Sequence, residues 1–83
     1  MRMGPRFLLF QRDDCHLCDL ALDVLAEARA PAFESVFIDD RPDLEARYGL
    51  RVPVFRDQVG ERELDWPFTA AQVSALVAAG RGC

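Results

Sequence analysis

The chain has 83 residues, room for one domain over residues 1–83 with a modest core, because a chain of this size buries only about 60% of its unfolded surface. Apolar residues make up 51% of it, which excludes a disordered segment, and its ten bases, all Arg, against fourteen acids leave a net charge of −4 and no basic stripe to follow a phosphate backbone. No apolar run approaches the roughly 18 residues of a membrane span, and the start, MRMGPRFLLF, has too short an apolar run for a signal peptide. The expectation is a soluble, cytoplasmic monomer with neither nucleic acid nor membrane as partner.

Residues 6–11, RFLLFQ, read as a buried strand followed by a polar turn, RDD. From Leu17, apolar residues recur at Leu20, Ala21, Val24, Leu25 and Ala28, one helical face at spacings of three and four. Asp13, Asp14, Asp19 and Asp23 are expected in its first turns, where the helix dipole favours acids, and the helix should stop before Pro31. FESVFIDD, 33–40, reads as a second strand. RPDLEARYG then predicts a short helix with Pro42 in its first turn and Gly49 at its end, with Tyr48 packing there.

VPVFRD and GERELDW read as two strands around DQVG. Pro53 has no N–H to give a ladder, so it belongs at the first position of the third strand. In TAAQVSALVAAG, Thr69 and Gln72 have capping-box spacing, Val73, Leu76 and Val77 form an apolar stripe, and Gly80 is a natural terminator. Trp66 and Phe68, either side of Pro67, are expected to pack against the core, and Asp39-Asp40 to lie in a solvated loop. The order is βα-β-α-ββ-α. Its strand–helix–strand opening implies a parallel pair and its closing hairpin adds antiparallel strands, an α/β domain with a four-stranded mixed sheet and flanking helices.

Three cysteines are too few for a secreted disulfide scaffold. Cys15 stands where strand becomes helix, and Cys18 one turn later. Unpaired N–H groups at a helix start stabilise a thiolate, so Cys15 is suited to attack and Cys18 to resolve a mixed disulfide. His16 adds a local proton donor, and Arg12 is the one base in this stretch. Arg51 approaches if the Val-Pro loop packs against the pair, while Asp13, Asp14 and Asp19 oppose the thiolate by like charge. Two alternatives stay open: a metal or cluster module using the CxxC, with His16 and the terminal Cys83 as further donors, and a redox-inert binding module. Cys83 otherwise reads as an exposed stray thiol.

The strand FLLF, the CHLC at a helix start, the Val-Pro about 35 residues later and the element order together resemble glutaredoxin, more narrowly the small bacterial glutaredoxin-like proteins of the thioredoxin-fold superfamily. The resemblance runs from about Arg6 to Gly80. It implies a thioredoxin-like fold and a thiol–disulfide oxidoreductase with Cys15 as attacking thiolate and Cys18 as resolving thiol. Pro53 would be a cis-proline beside the pair, and the backbone of Val52 would hold substrate as an added strand. The implied substrate is a disulfide-containing protein or a glutathione mixed disulfide, with an external thiol or reductase restoring the pair. No bound cofactor or metal is implied, and glutathione enters as a co-substrate. Where this family carries a glycine-rich, acidic segment for glutathione, this chain has GERELDWPFT, whose carboxylate for that contact is Asp65. Between the cysteines it has His16-Leu17 rather than the common Pro-Tyr type of pair.

Overall fold

The computed structural model describes residues 5–81, so the start of the chain at 1–4 and the expected stray thiol at Cys83 lie outside the described residues. Its elements follow the expected order: β1 (Phe7–Gln11), α1 (His16–Glu27), β2 (Phe33–Phe37), α2 (Pro42–Tyr48), β3 (Val54–Asp57), β4 (Arg62–Asp65) and α3 (Ala70–Arg81). The strands form one mixed sheet in the order β2-β1-β3-β4. β1 runs parallel to β2 and antiparallel to β3, and β4 is antiparallel to β3.

β1 is central, which is why FLLF carries apolar residues on both faces. Phe7 and Leu9 point to one side, into a core shared with Ala21 and Leu25 of α1, Phe55 of β3, and Val73, Leu76 and Val77 of α3. Phe10 points to the other side, where it meets Ile38, Tyr48 and Val54 beneath α2. The Tyr48 ring stacks on Phe10 with centroids 4.0 Å apart, so the short helix does end by packing its tyrosine. Phe68 is buried, and Trp66 packs edge-on against it at 5.1 Å, as core packing requires. The capping box forms as spaced: Thr69 N–H donates to Gln72 Oε1 at 2.8 Å, and Gln72 N–H donates to Thr69 Oγ1 at 3.1 Å. Among the described residues no helix is long and apolar enough to cross a membrane.

Several boundaries differ from expectation. β2 ends at Phe37, not at Asp40, because its partner β1 ends at Gln11, which is in register with Phe37. Beyond it Arg41 N–H donates to the Ile38 carbonyl at 3.0 Å, and Asp40 takes a left-handed φ of 63°, closing a turn. α1 begins at His16, so Asp13 and Asp14 precede it, and Asp19 is the acid of its first turn. Its buried face is Cys18, Ala21 and Leu25, while Leu17 and Leu20 of the expected stripe are exposed. β3 starts at Val54, one residue after Pro53, and the Val52–Pro53 bond is cis. Gly80 does not terminate α3, which continues to Arg81: a glycine inside a helix lowers propensity but keeps its N–H donor.

Candidate redox site

The turn that leaves β1 sets the geometry. Asp14 adopts a left-handed φ of 52°, which an aspartate tolerates better than most side chains, and turns the chain so that Cys15 becomes the N-cap of α1. Cys15 is extended (φ −110°, ψ 107°), and its Sγ accepts a hydrogen bond from Cys18 N–H at 3.1 Å. A sulfur in the position usually held by a capping oxygen therefore faces the free N–H groups of the helix start. One turn on, Cys18 is 1% exposed and packs in the face α1 turns to the sheet. The two sulfurs are joined as a disulfide, with Cα atoms 5.2 Å apart, inside the ordinary span for such a bond. Cys15 is the more accessible of the two.

Long-range contacts hold this turn. The Arg12 guanidinium forks onto Glu45 of α2 at 2.6 and 2.7 Å and donates to the Gly49 carbonyl at 2.9 Å. The Glu45 hydrogen bond raises the Arg12 pKa above its usual value, against a smaller opposing effect of burial. Asp39 also acts here, its Oδ2 accepting from Asp13 N–H at 2.8 Å, so the expected solvated loop braces the turn. A cleft of about 350 Å³ opens beside the disulfide. Arg12, Asp13, Asp14, Asp19 and both cysteines line it, and Gln11, Leu22, Ser35 and Phe37 complete its walls. Gln11 is buried and donates through Nε2 to Ser35 Oγ at 2.7 Å.

Val52 and Pro53 lie at the same end of the sheet. Phe10 is paired with Val54, so β1 finishes where antiparallel β3 begins. Val54 is in turn paired with Asp65, which brings the end of β4 to this end as well. Pro53 is fully buried, and Val52 is partly buried. None of Val52, Pro53, Asp65 or Arg51 lines the cleft beside the disulfide. Arg51 bonds Asp65 at 2.8 Å and Glu63 at 2.5 Å, so the Asp65 carboxylate already has a cationic partner within the chain. His16 is exposed in the first turn of α1.

Glu63 of β4, unremarked in the sequence, is the hub on this side. Arg51, Tyr48 and Arg56 all donate to its carboxylate, and Arg47 lies 3.6 Å away. Burial alone would push its pKa up; the hydrogen bonds outweigh that and lower it from 4.5 to about 2. Burial, then the Glu63 bond, raises the Tyr48 pKa. Among the described residues no group of three or more His, Cys, Asp or Glu is arranged to hold a metal ion.

Residues 6–78 match the glutaredoxin-like domain family (DUF836). The chain belongs to this family. No curated protein matches it. Among solved structures, this glutaredoxin-like domain is similar to the X-ray structure of the structural genomics target XcR50 from X. campestris, with 62% identity and a TM-score of 0.82, covering 88% of this chain and 96% of that one. The solution structure of the same target gives 60% identity and a TM-score of 0.83, over 90% and 95% of the two chains. Protein Ne2328 from Nitrosomonas europaea is similar at 25% identity and a TM-score of 0.70, over 93% and 95%. The fold is thioredoxin-like: a mixed four-stranded sheet with flanking helices, carrying a CxxC pair in disulfide form.

Proposed function

We infer that this glutaredoxin-like domain is a thiol–disulfide oxidoreductase working through Cys15 and Cys18. The observation that carries the reading is the Cys15 sulfur at the N-cap of α1, bonded to a Cys18 that is otherwise buried. In the reduced pair, the Cys15 thiolate attacks one sulfur of a substrate disulfide. The substrate S–S bond breaks, one substrate thiolate leaves, and a mixed disulfide to Cys15 forms. Cys18, as thiolate, then attacks the Cys15 sulfur and releases the second substrate thiol. Two electrons pass from the pair to the substrate, whose two thiols take up the two protons given up by the cysteines. An external thiol or a dithiol reductase returns the pair to its reduced form, and the protein works in a reducing cytoplasm as a monomer.

Cys18 is sheltered, so an incoming disulfide meets Cys15 first. Val52 and Pro53, at the same end of the sheet, orient the substrate backbone. Asp65 and Arg51 act there as a mutually neutralised pair, which favours a protein disulfide over free glutathione as substrate. Nothing beyond the cysteines has to be bound for this chemistry.

The test is trapping. Reduced Cys18→Ser chain, mixed with a disulfide substrate, should hold it as a stable mixed disulfide at Cys15, visible by mass spectrometry, while Cys15→Ser should neither trap nor reduce. Undiminished reduction by Cys15→Ser would overturn the assignment and leave a redox-inert binding domain.

A further inference from the structure

The cleft beside the disulfide is a different surface from the Val52-Pro53 side, and its chemistry is uneven. Two apolar side chains are left open in it: Leu22 of α1, 36% exposed, and Phe37 at the end of edge strand β2, 46% exposed. Around them stand the carboxylates of Asp13, Asp14 and Asp19, all exposed. Among the described residues Arg12 is the one cation in the lining, and its guanidinium is bonded to both oxygens of Glu45 and to the Gly49 carbonyl. Asp39, 4.0 Å from Arg12, adds a further negative charge next to the turn. The Arg12–Glu45 pair is neutral as a unit, so the cleft presents a net negative field beside two open apolar side chains. Both cysteines line it, so a side chain flanking the substrate cysteine can enter it while Val52 and Pro53 orient the backbone.

We propose that this cleft receives protein disulfides whose cysteine is flanked by Lys or Arg, and that Asp13, Asp14 and Asp19 determine that specificity. The inference rests on the thiol–disulfide reading above. A long basic side chain matches both features, because its aliphatic stem lies along Leu22 and Phe37 while its charged head reaches the carboxylates. An anionic disulfide, including oxidised glutathione, meets like charge as it approaches Cys15. One carboxylate about 7 Å from a cation in water is worth roughly a factor of three in local concentration. Three of them amount to about tenfold at low salt and about threefold after ordinary salt screening.

The experiment uses the pre-reduced full-length chain with Cys83→Ser, so that only the pair reacts. Three symmetric disulfides of one short peptide are compared, with the cysteine flanked by Lys, by Gln or by Glu. Each rate of oxidation of the pair is divided by that peptide's rate with dithiothreitol, which removes differences in leaving thiol. The expected order is Lys over Gln over Glu, with Lys over Gln by about tenfold at low salt, shrinking severalfold by about 0.5 M salt. The Asp13→Asn, Asp14→Asn, Asp19→Asn triple variant should bring the ratio close to one, and asparagine tolerates the left-handed φ of position 14. Because the comparison is a ratio, a general change in Cys15 reactivity cancels.

Reaction with all three peptides at equal normalised rates overturns the inference and leaves the redox reading standing. So does a Lys preference that survives both high salt and the triple variant. Failure of every peptide to oxidise the pair overturns the redox reading and the inference with it.

Discussion

Arg12 and Glu45 meet through two hydrogen bonds of 2.6 and 2.7 Å, joining the turn that carries Cys15 to the helix α2 thirty-three positions later. The same guanidinium caps the Gly49 carbonyl at the carboxyl end of that helix, where a cation opposes the dipole favourably. A Cβ at position 49 would come within 2.5 Å of the Glu45 carbonyl oxygen and 3.2 Å of Arg12 Nη2, so glycine permits this close approach. The fork belongs to the scaffold of the site, and it removes the positive charge that would otherwise face the cleft.

Arg12→Ala should therefore lower the urea denaturation midpoint, because the geometry is bidentate and a backbone acceptor is also lost. Arg12→Lys should recover only part, since an ammonium cannot fork onto both oxygens. Urea denaturation midpoints at constant slope measure both. Equal stability of all three chains would show that the fork is not holding the turn.

Glu63 makes stability depend on acid. Its pKa is held down to about 2 in the fold against 4.5 for the free side chain, so its contribution is complete above about pH 5 and is lost as the pH falls from there toward 2. Asp57, lowered chiefly by its Arg6 bond, adds to the same trend. Glu63→Gln should flatten the fall in denaturation midpoint between about pH 5 and pH 2. At neutral pH the same variant should cost up to roughly 3 kcal/mol, the free-energy equivalent of that shift. An unchanged acid limb would remove Glu63 as its cause.

Phe55 tests the larger core. It is fully buried, stacked on Phe7 at 5.6 Å and edge-on to Phe33 at 6.0 Å, where three strands meet. Phe55→Ala should cost about 3–5 kcal/mol, a large part of what so small a domain has, and calorimetry should show the variant largely unfolded at 37 °C.

Thr69→Ala removes one half of the α3 capping box and should cost about 1 kcal/mol, with Thr69→Ser close to neutral. The contacts are exposed, so the effect should appear in thermal melts without a change in Cys15–Cys18 chemistry.

The reduction potential of the pair should lie near about −270 mV or lower, at the reducing end, because Asp13, Asp14 and Asp19 work against a thiolate and the Arg12 guanidinium beside them is bonded to Glu45. Thiol labelling in graded dithiol buffers, on the Cys83→Ser chain, gives the value. A potential above about −200 mV would show that the helix start dominates over the acids.

The elements themselves were legible because they rest on local rules. FLLF carries enough apolar surface to be a central strand wherever it lands, Thr69 and Gln72 cap each other within a four-residue span, and a CxxC at a helix start puts both sulfurs on one turn whatever surrounds them. Those patterns were enough for the element order, the fold and the family. The structure alone decided which side chains share a cleft and which charges are left over in it. Gln11 meets Ser35 across 24 positions, Arg12 finds Glu45 across 33, and Arg51 closes on Asp65 across 14, and none of these pairings leaves a mark in the spacing of its residues. They follow from strand register and from how α2 lies on the sheet. Register likewise ends β2 at Phe37, and the packing of α1 buries Cys18 while leaving Leu17 outside. Local propensity specifies an element from its own side chains, but the charge a substrate meets is a sum over elements, and only folding performs that sum.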